Sequence, residues 1–401
     1  MVEDAAETTQ MLLKFASVHG LAKRGSTGRL RWLLPLLLAA LASPGCGLHY
    51  REQVKVAMRT PRQGGPARLE IIEGVPVVHV YGTNEEMAAQ YGRVLKPALQ
   101  ALCGYADCLL PSGTKRRFIE MAAAREPLMP ETVRRQLRAA AEAADFPYMD
   151  LVALNIVPRL MCTTLAVWGD ATADGRLIMG RNADYFGLGL SDRGSLVVVY
   201  HPDEGVPVAC VTFLGMLGGF AGINAEGVAF GNMLVFNGGG AGYRADGLPV
   251  QLAMRMAAQR ARTVEDASRE LLATAHAIPM NVMVADARKA LLLELGVDVH
   301  HVRRGRDGVL AAANDWLAHP AMVPPRPCGR YQALLTAAER GRGHMTAADV
   351  GKALHAARIP NMNLQAIVFE PAAMKMHVSI NRVPASAGPY VTLDLKGLFE
   401  E

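Results

Sequence analysis

The sequence has no apolar run long enough to cross a bilayer. Its longest, Trp32 to Ala42, has 11 residues, and a spanning helix needs about 20. Aromatic residues are scarce, at 6% of the chain, and none is interleaved with the basic clusters Lys115-Arg116-Arg117 and Arg303-Arg304-Gly305-Arg306. Such clusters read as solvated loops and exclude a nucleic-acid partner. There is no Cys-x-x-Cys and no His/Cys group at zinc spacing, so no metal is expected. His300-His301 stands without nearby carboxylates or cysteines and reads as a strand end. The glycine-rich stretch Gly215–Gly222 lacks the P-loop lysine, which argues against a phosphate loop. It reads instead as a flexible rim, and no organic cofactor is expected. None of the 11 histidines sits in a recognisable peptidase motif. No repeat is visible, nor any low-complexity segment beyond Gly238-Gly239-Gly240.

What remains is the composition of a folded protein: 401 residues, 51% hydrophobic, 20% charged, formal net charge +5. Disordered, collagen-like and coiled-coil chains are excluded. The length suits one large domain or two moderate ones. The short apolar run has the shape of an export signal. Arg24, Arg29 and Arg31 precede Leu33–Leu38, and Ala39, Ala40, Ala42 and Ser43 follow. A positive region, an apolar core and a small-residue exit form the secretory pattern. Two exits compete. Ala40-Leu41-Ala42 suits ordinary signal peptidase, and Ser43-Pro44-Gly45-Cys46 resembles a bacterial lipoprotein box with Cys46 lipidated. The expectation is a signal peptide over 1–45, a tether over 46–66, and a lipid-anchored protein of the periplasm or cell envelope. Six cysteines are present: 46, 103, 108, 162, 210 and 328. With Cys46 lipidated, five remain, and the odd one out is expected to be a free, working thiol.

The pattern divides at Cys162. Before it, Val75–Tyr81 alternates as a strand, and Thr83-x-x-Glu86 opens a helix that buries Met87, Ala88, Tyr91, Val94 and Leu95. Residues 116–160 are helical in pattern. After it, strands come in pairs joined by short turns: 163–168 with 176–180, 196–200 with 208–214, 223 with 228–233, 280–285 with 290–295, and 366–369 with 375–380. Short turns imply antiparallel neighbours. Several of these strands are apolar on both faces, so helices at 249–262, 263–276, 328–341 and 346–357 are expected to cover them. Thr263-x-x-Asp266 and Thr346-x-x-Asp349 start two of those helices. The fold class expected is α+β, a sandwich of antiparallel sheets between helices.

Chemistry concentrates where the pattern changes. Cys162 begins a strand, and Arg181 and Asp184 end the strand that returns beside it. A thiol beside an arginine is more readily a thiolate, and a carboxylate beside it orients a protonated base. Cys162-Thr163-Thr164, followed by a hairpin and Gly180-Arg181-Asn182-Ala183-Asp184-Tyr185, resembles the N-terminal-nucleophile (Ntn) hydrolases of the choloylglycine hydrolase and acid ceramidase group. It is similar also to the acyl-coenzyme A:6-aminopenicillanic-acid acyltransferases. Thr83–Gly92 resembles the early helix of the acyltransferases, Gly222–Asn232 the Asn-Glu-x-Gly strand pair, and Ala313-Asn314-Asp315 the Asn-centred strand end. The resemblance covers about residues 67–385.

The resemblance implies a four-layer αββα fold and a precursor that cuts itself between Met161 and Cys162. Residues 67–161 would then be a small subunit that stays bound to the catalytic chain 162–401. It implies that the freed α-amino group of Cys162 takes the thiol proton, that Asp184 binds this amino group, and that Arg181 lies beside the sulfur. Asn314 and the backbone N–H of Asn232 would form the oxyanion hole, and Arg330 matches an arginine of some members. The substrate implied is a small N-acyl compound, cleaved or transferred through a thioester, with an acyl-donor thioester as a further partner. Met216, Leu217 and Phe220 are candidates to line an acyl pocket. The resemblance is mixed: Arg181 fits the bile-salt and ceramide enzymes, whereas the long segment before the cysteine fits acyltransferase or ceramidase precursors. Asp315 stands where a histidine or tyrosine often follows the motif asparagine. The competing reading is a non-catalytic envelope lipoprotein that uses the same fold as a binding module.

Overall fold

The computed structural model describes residues 44–110, 112–156, 161–185, 187, 190, 193–235, 243–319 and 328–400. Most of the expected leader lies outside the described residues. From Pro44 the chain is helical, not a free tether: α1 (Pro44–Met58) packs on α2 (Asn84–Leu109). A disulfide joins Cys46 to Cys108 near the end of α2, with Cα atoms 6.2 Å apart. A sulfur committed to a disulfide cannot also carry a thioether-linked lipid, so the structure corrects the reading of Cys46 as a lipid site. The cysteine count changes with it. Cys103, Cys162, Cys210 and Cys328 are free, an even number, and parity no longer singles out a working thiol. Among the described residues no helix is long and apolar enough to cross a membrane.

The capping boxes hold. Thr83, Thr263 and Thr346 each accept from the N–H three residues on, and Glu86, Asp266 and Asp349 reach back to the cap. They open α2, α7 (Val264–Ala273) and α9 (Ala347–Ala356). These contacts satisfy N–H groups that the first helical turn leaves without partners. The stretch before Cys162 adds α3 (Ser112–Arg125), α4 (Glu131–Ala144) and α5 (Tyr148–Ile156). After it come α6 (Val250–Ala258), α8 (Gly329–Arg340) and the C-terminal α10 (Leu395–Glu400).

Sixteen strands form two sheets among the described residues. One has ten strands in the order β1 (Arg62–Gly64), β2 (Ala67–Ile72), β3, β6, β7 (Val208–Phe213), β8 (Ala221–Asn224), β9, β10 (Met280–Ala285), β11 (Ala290–Leu295) and β12 (His300–Arg304), and the other six in the order β13, β4, β5, β14, β15 (Lys375–Ile380) and β16 (Val391–Asp394). The ranges that position the site are β3 (Val75–Gly82), β4 (Met161–Gly169), β5 (Gly175–Asp184), β6 (Ser195–Pro202), β9 (Ala229–Leu234), β13 (Val309–Ala312) and β14 (Asn363–Glu370). Helices α2, α6 and α7 cover the outer face of the large sheet, α8 and α9 that of the small one, and β4 meets β9 between them. This is the expected four-layer αββα sandwich. The strands apolar on both faces, such as Val197–Tyr200 and Val208–Val211, are buried as that layering requires. One pairing departs from the antiparallel expectation. β3 runs parallel to β6, because the stretch before Cys162 joins the large sheet as an added edge, with no short turn to reverse it.

Candidate active site

The β4–β5 hairpin sets the geometry. Its register pairs Cys162 with Ala183, Thr164 with Arg181, and Met161 with Asp184. Side chains alternate across a strand. Cys162, Ala183 and Arg181 therefore share the inner face, toward the large sheet, while Asp184 stands on the outer face at the strand end. β4 starts at Met161 and β5 runs to Asp184, which places Cys162, Arg181 and Asp184 on the ladder.

Arg181 is fully buried between the sheets. Its Nη2 donates to Cys162 Sγ at 3.1 Å and to Asn232 Oδ1 at 3.2 Å, and its Nε donates to the Asn232 carbonyl at 3.2 Å. Nη1 is buried with no hydrogen-bond partner among the described residues. Gly231 makes the room: a Cβ there would lie 3.2 Å from Arg181 Cδ. The guanidinium also sits 6.0 Å from the Phe220 ring centroid.

The peptide bond before Cys162 is held from the opposite side. The Cys162 N–H donates to Asn314 Oδ1 at 3.1 Å, and Arg330 donates through Nη2 to the same oxygen at 2.7 Å and through Nη1 to the Cys162 carbonyl at 3.1 Å. Arg330 Nη1 also lies 3.6 Å from Asp184 Oδ2. Asp184 Oδ1 accepts from Asn363 Nδ2 at 2.8 Å, while Oδ2 is buried without a hydrogen-bond partner among the described residues. All six residues singled out from the sequence therefore form one connected cluster.

Two expected details differ. The Asn232 N–H donates to the Phe220 carbonyl at 3.0 Å, and Asn314 Nδ2 donates to the Leu234 carbonyl at 2.5 Å. Neither is an open oxyanion donor here, because both are spent on these backbone carbonyls. The thiol also departs from expectation. Burial pushes the Cys162 thiol above its ordinary value; Arg181 opposes this, and Asp184 reinforces it. Cys162 is fully buried, so the cost of desolvating a thiolate outweighs the neighbouring cation. Burial likewise raises the Asp184 carboxyl to about 6, against the pull of Asn363 and Arg330.

Other candidates resolve as structure. Asn224 accepts from the N–H groups of Glu226 and Val228 and donates to the carbonyls of Ala258 and Ala261, so it shapes a turn. The Gly215–Gly222 loop is clamped, not flexible: Gly215, Leu217 and Gly218 donate to Tyr91, Asn155 and Tyr200. His300 and His301 do begin a strand. Among the described residues no three His, Cys, Asp or Glu side chains are grouped to hold a metal. Asn363 was not singled out from the sequence. It follows a helix-to-strand turn with no motif around it, and only the β5–β14 pairing reveals it.

An apolar cavity of about 290 Å³ lies beyond Phe213, whose ring is 6.2 Å from that of Phe220. Leu102, Phe118, Leu154, Leu214 and Met216 line it, with Lys115 and Asp150 among its few charged groups. Of the three residues expected at an acyl pocket, Met216 lines this cavity. Leu217 and Phe220 are core residues, almost fully buried.

Comparison with known proteins adds an independent observation. The model of the acyl-coenzyme A:6-aminopenicillanic acid acyl-transferase family matches residues 171–321. That stretch contains Arg181, Asp184, Asn232 and Asn314, and leaves Cys162 and Arg330 outside. The chain is 24% identical to protein dcd1B of Dictyostelium discoideum over 289 residues, 63% of this chain and 55% of that protein. It is 25% identical to an uncharacterized protein of Archaeoglobus fulgidus over 315 residues, 68% of this chain and 51% of that one. The chain thus spans about half the length of the curated relatives it matches. Among solved structures, it is similar to a Caenorhabditis elegans N-acylethanolamine-hydrolyzing acid amidase ortholog. That match has 16% identity and a TM-score of 0.42, and covers 52% of this chain and 93% of that one. The family match, over fewer than half of the residues, is a similarity to acyl-transferases.

Proposed function

We propose that the chain is a self-processing cysteine Ntn-hydrolase that cleaves or transfers the acyl group of small N-acyl amides through a thioester at Cys162. The observation that carries this reading is the clamp on one residue. Arg181 holds the Cys162 sulfur from one side, while Asn314 and Arg330 hold its N–H and carbonyl from the other.

In self-processing, the thiol of Cys162 attacks the Met161 carbonyl carbon. The C–N bond breaks, the nitrogen keeps its hydrogen and takes up the thiol proton, and a thioester joins Met161 to the sulfur. Water then hydrolyses the thioester, leaving a Met161 carboxylate and a free amino group on Cys162. That amino group, with a reference pKa of about 7.7–8.0, takes the thiol proton in later turnovers. One residue then supplies both nucleophile and base. Asp184 Oδ2, which has no hydrogen-bond partner among the described residues, is the seat for the ammonium form. Arg181 steadies the sulfur anion, and its free Nη1 supplies a donor for the oxyanion that Asn232 and Asn314 do not offer in the uncut chain. The attacked amide releases its amine, and water or another acceptor takes the acyl group. The apolar cavity suits the acyl chain. The Cys46–Cys108 disulfide supports an exported location, since such bonds persist in oxidising compartments.

A denaturing gel with intact-mass analysis tests the reading. Two fragments that part between Met161 and Cys162 are expected, and Cys162→Ala is expected to stay whole. A wild-type chain that remains uncut and turns over no N-acyl amide refutes it.

A further inference from the structure

The β5–β14 ladder contains one irregularity, and it lies beside Asp184. Gln365 pairs with Ala183, and a regular antiparallel ladder would next set Leu364 opposite Asp184. The register instead shifts, and Asn363 takes that place. A bulge of one residue re-aims a side chain. Here it replaces a leucine with an amide beside a fully buried carboxylate.

The orientation of that amide is fixed from behind. Asn363 Oδ1 accepts the Ser386 N–H at 2.7 Å. A backbone N–H only donates, so the amide oxygen must face Ser386, and Nδ2 must face Asp184. Nδ2 donates to Asp184 Oδ1 at 2.8 Å and more distantly, at 3.4 Å, to the Gln365 carbonyl. An NH₂ group cannot accept a proton-bearing oxygen, so this contact favours the ionised carboxylate over the acid.

We propose that Asn363, locked by Ser386, is a positioning residue that keeps Asp184 ionised and fixes its Oδ1, leaving Oδ2 free for the amino group of Cys162. The proposal rests on reading Cys162 as the self-freed nucleophile. The other groups that act on Asp184 are Arg330 from α8, Arg181 on its own strand, the Ile359 backbone and Cys162 from β4. Of these, Arg330 is shared with Asn314 and the Cys162 carbonyl. Asn363 is the side chain among them whose donor bond goes directly to the Asp184 carboxylate.

The test uses the full chain and two variants. Asn363→Leu removes both polar atoms. Asn363→Asp is isosteric and keeps an acceptor for the Ser386 N–H, but it exchanges the donor for a second carboxyl group whose repulsion adds to the rise, so it serves only where the leucine variant fails to fold. The carboxyl carbon of Asp184 is titrated by ¹³C NMR, assigned by its loss in Asp184→Asn, and the pH profile of self-cleavage is recorded alongside. The expected result is a midpoint at least one pH unit above wild type in either variant. The acid limb of self-cleavage should move with it, slowing the cut about tenfold one unit below the wild-type limb. An unmoved midpoint, or a loss of rate equal at every pH, overturns the positioning role while wild-type cleavage stands. A wild-type chain that never cuts overturns the functional reading itself, whatever the midpoint does.

Discussion

Replacing Arg181 is the sharpest test of the site. In Arg181→Met the side chain still fills the space beside Gly231, but the sulfur loses its cation. Opposite unit charges at the 3.1 Å separation of Nη2 and Sγ attract by about 5 kcal/mol at an effective dielectric of about 20. Loss of one preorganised donor to a developing charge typically costs about 3–4 kcal/mol. The smaller figure is the better guide, because the methionine variant no longer buries an arginine. It corresponds to a rate lower by about 10²–10³. The Cys162 thiol, already raised by burial, should rise further once the Arg181 cation that opposes burial is gone. Arg181→Lys keeps the charge but not the fork that also reaches Asn232, so an intermediate loss is expected. The assay follows the uncut band on denaturing gels over time, and measures iodoacetamide alkylation of the processed enzyme against pH. If Arg181→Met cuts at the wild-type rate with an unshifted alkylation profile, the guanidinium has no part in activating the sulfur.

Three further outcomes follow from the same geometry. Denatured, unreduced protein should alkylate four thiols, and six after reduction, because Cys46 and Cys108 are paired. Closing a loop with a sequence separation of 62 is worth about 4 kcal/mol in the chain-entropy account, so reductant should lower the melting temperature; six thiols without reduction would remove the bond. Asn314→Ala removes the acceptor for the Cys162 N–H and the Arg330 guanidinium. A buried charge-assisted bond lost in this way costs about 1.5–3 kcal/mol, so self-cleavage should slow about 10–100-fold, read by the same gel assay. Burial raises Asp184 to about 6 from 3.8. The folded state therefore holds this proton over a window where the unfolded chain has released it, and stability falls as pH rises from about 4 to about 6. The shift corresponds to about 3 kcal/mol. Asp184→Asn should accordingly flatten the melting temperature across that window while abolishing the cut, and thermal melts at pH 4.5 and 7 decide the point.

Much of this was legible in the sequence because it is local. Three capping boxes, the paired strands and the Cys-Thr-Thr hairpin each depend on residues a few positions apart, and all appear where expected. Part of the candidate cluster was also legible, since Cys162, Arg181 and Asp184 belong to one hairpin. What was not legible is what depends on distant pairing. The parallel β3–β6 edge joins residues more than a hundred positions apart. The bulge that brings Asn363 to Asp184 is a property of two strands together. The clamped glycine loop looked free because its partners, Tyr91, Asn155 and Tyr200, lie in three other elements. Cys46 was misread for the same reason: a cysteine after an apolar run suggests a lipid site until its neighbour in space is known. The thiol shows a different limit, since its ionisation depends on burial as well as on the adjacent arginine.

The position of the proposed cut follows from the same architecture. Met161 is the first residue of β4, and Cys162 already pairs with Ala183. Breaking the bond between them therefore releases a strand end and leaves the rest of the ladder intact. The two sides are bound by much more than that bond. One core cluster includes Leu95, Val133 and Leu151 from before the cut together with Val198, Met254 and Leu292 from after it. Gln251 donates to the Asn155 carbonyl at 2.8 Å, Arg255 donates to Gln136, and β3 is hydrogen-bonded along β6. Core burial contributes about 25 cal/mol for each Å² of apolar surface, and none of that surface is exposed by a single cut at a strand's edge. The two sides thus have the packing of one domain, and the proposed cut at Cys162 falls inside one folded unit and not at a boundary between domains.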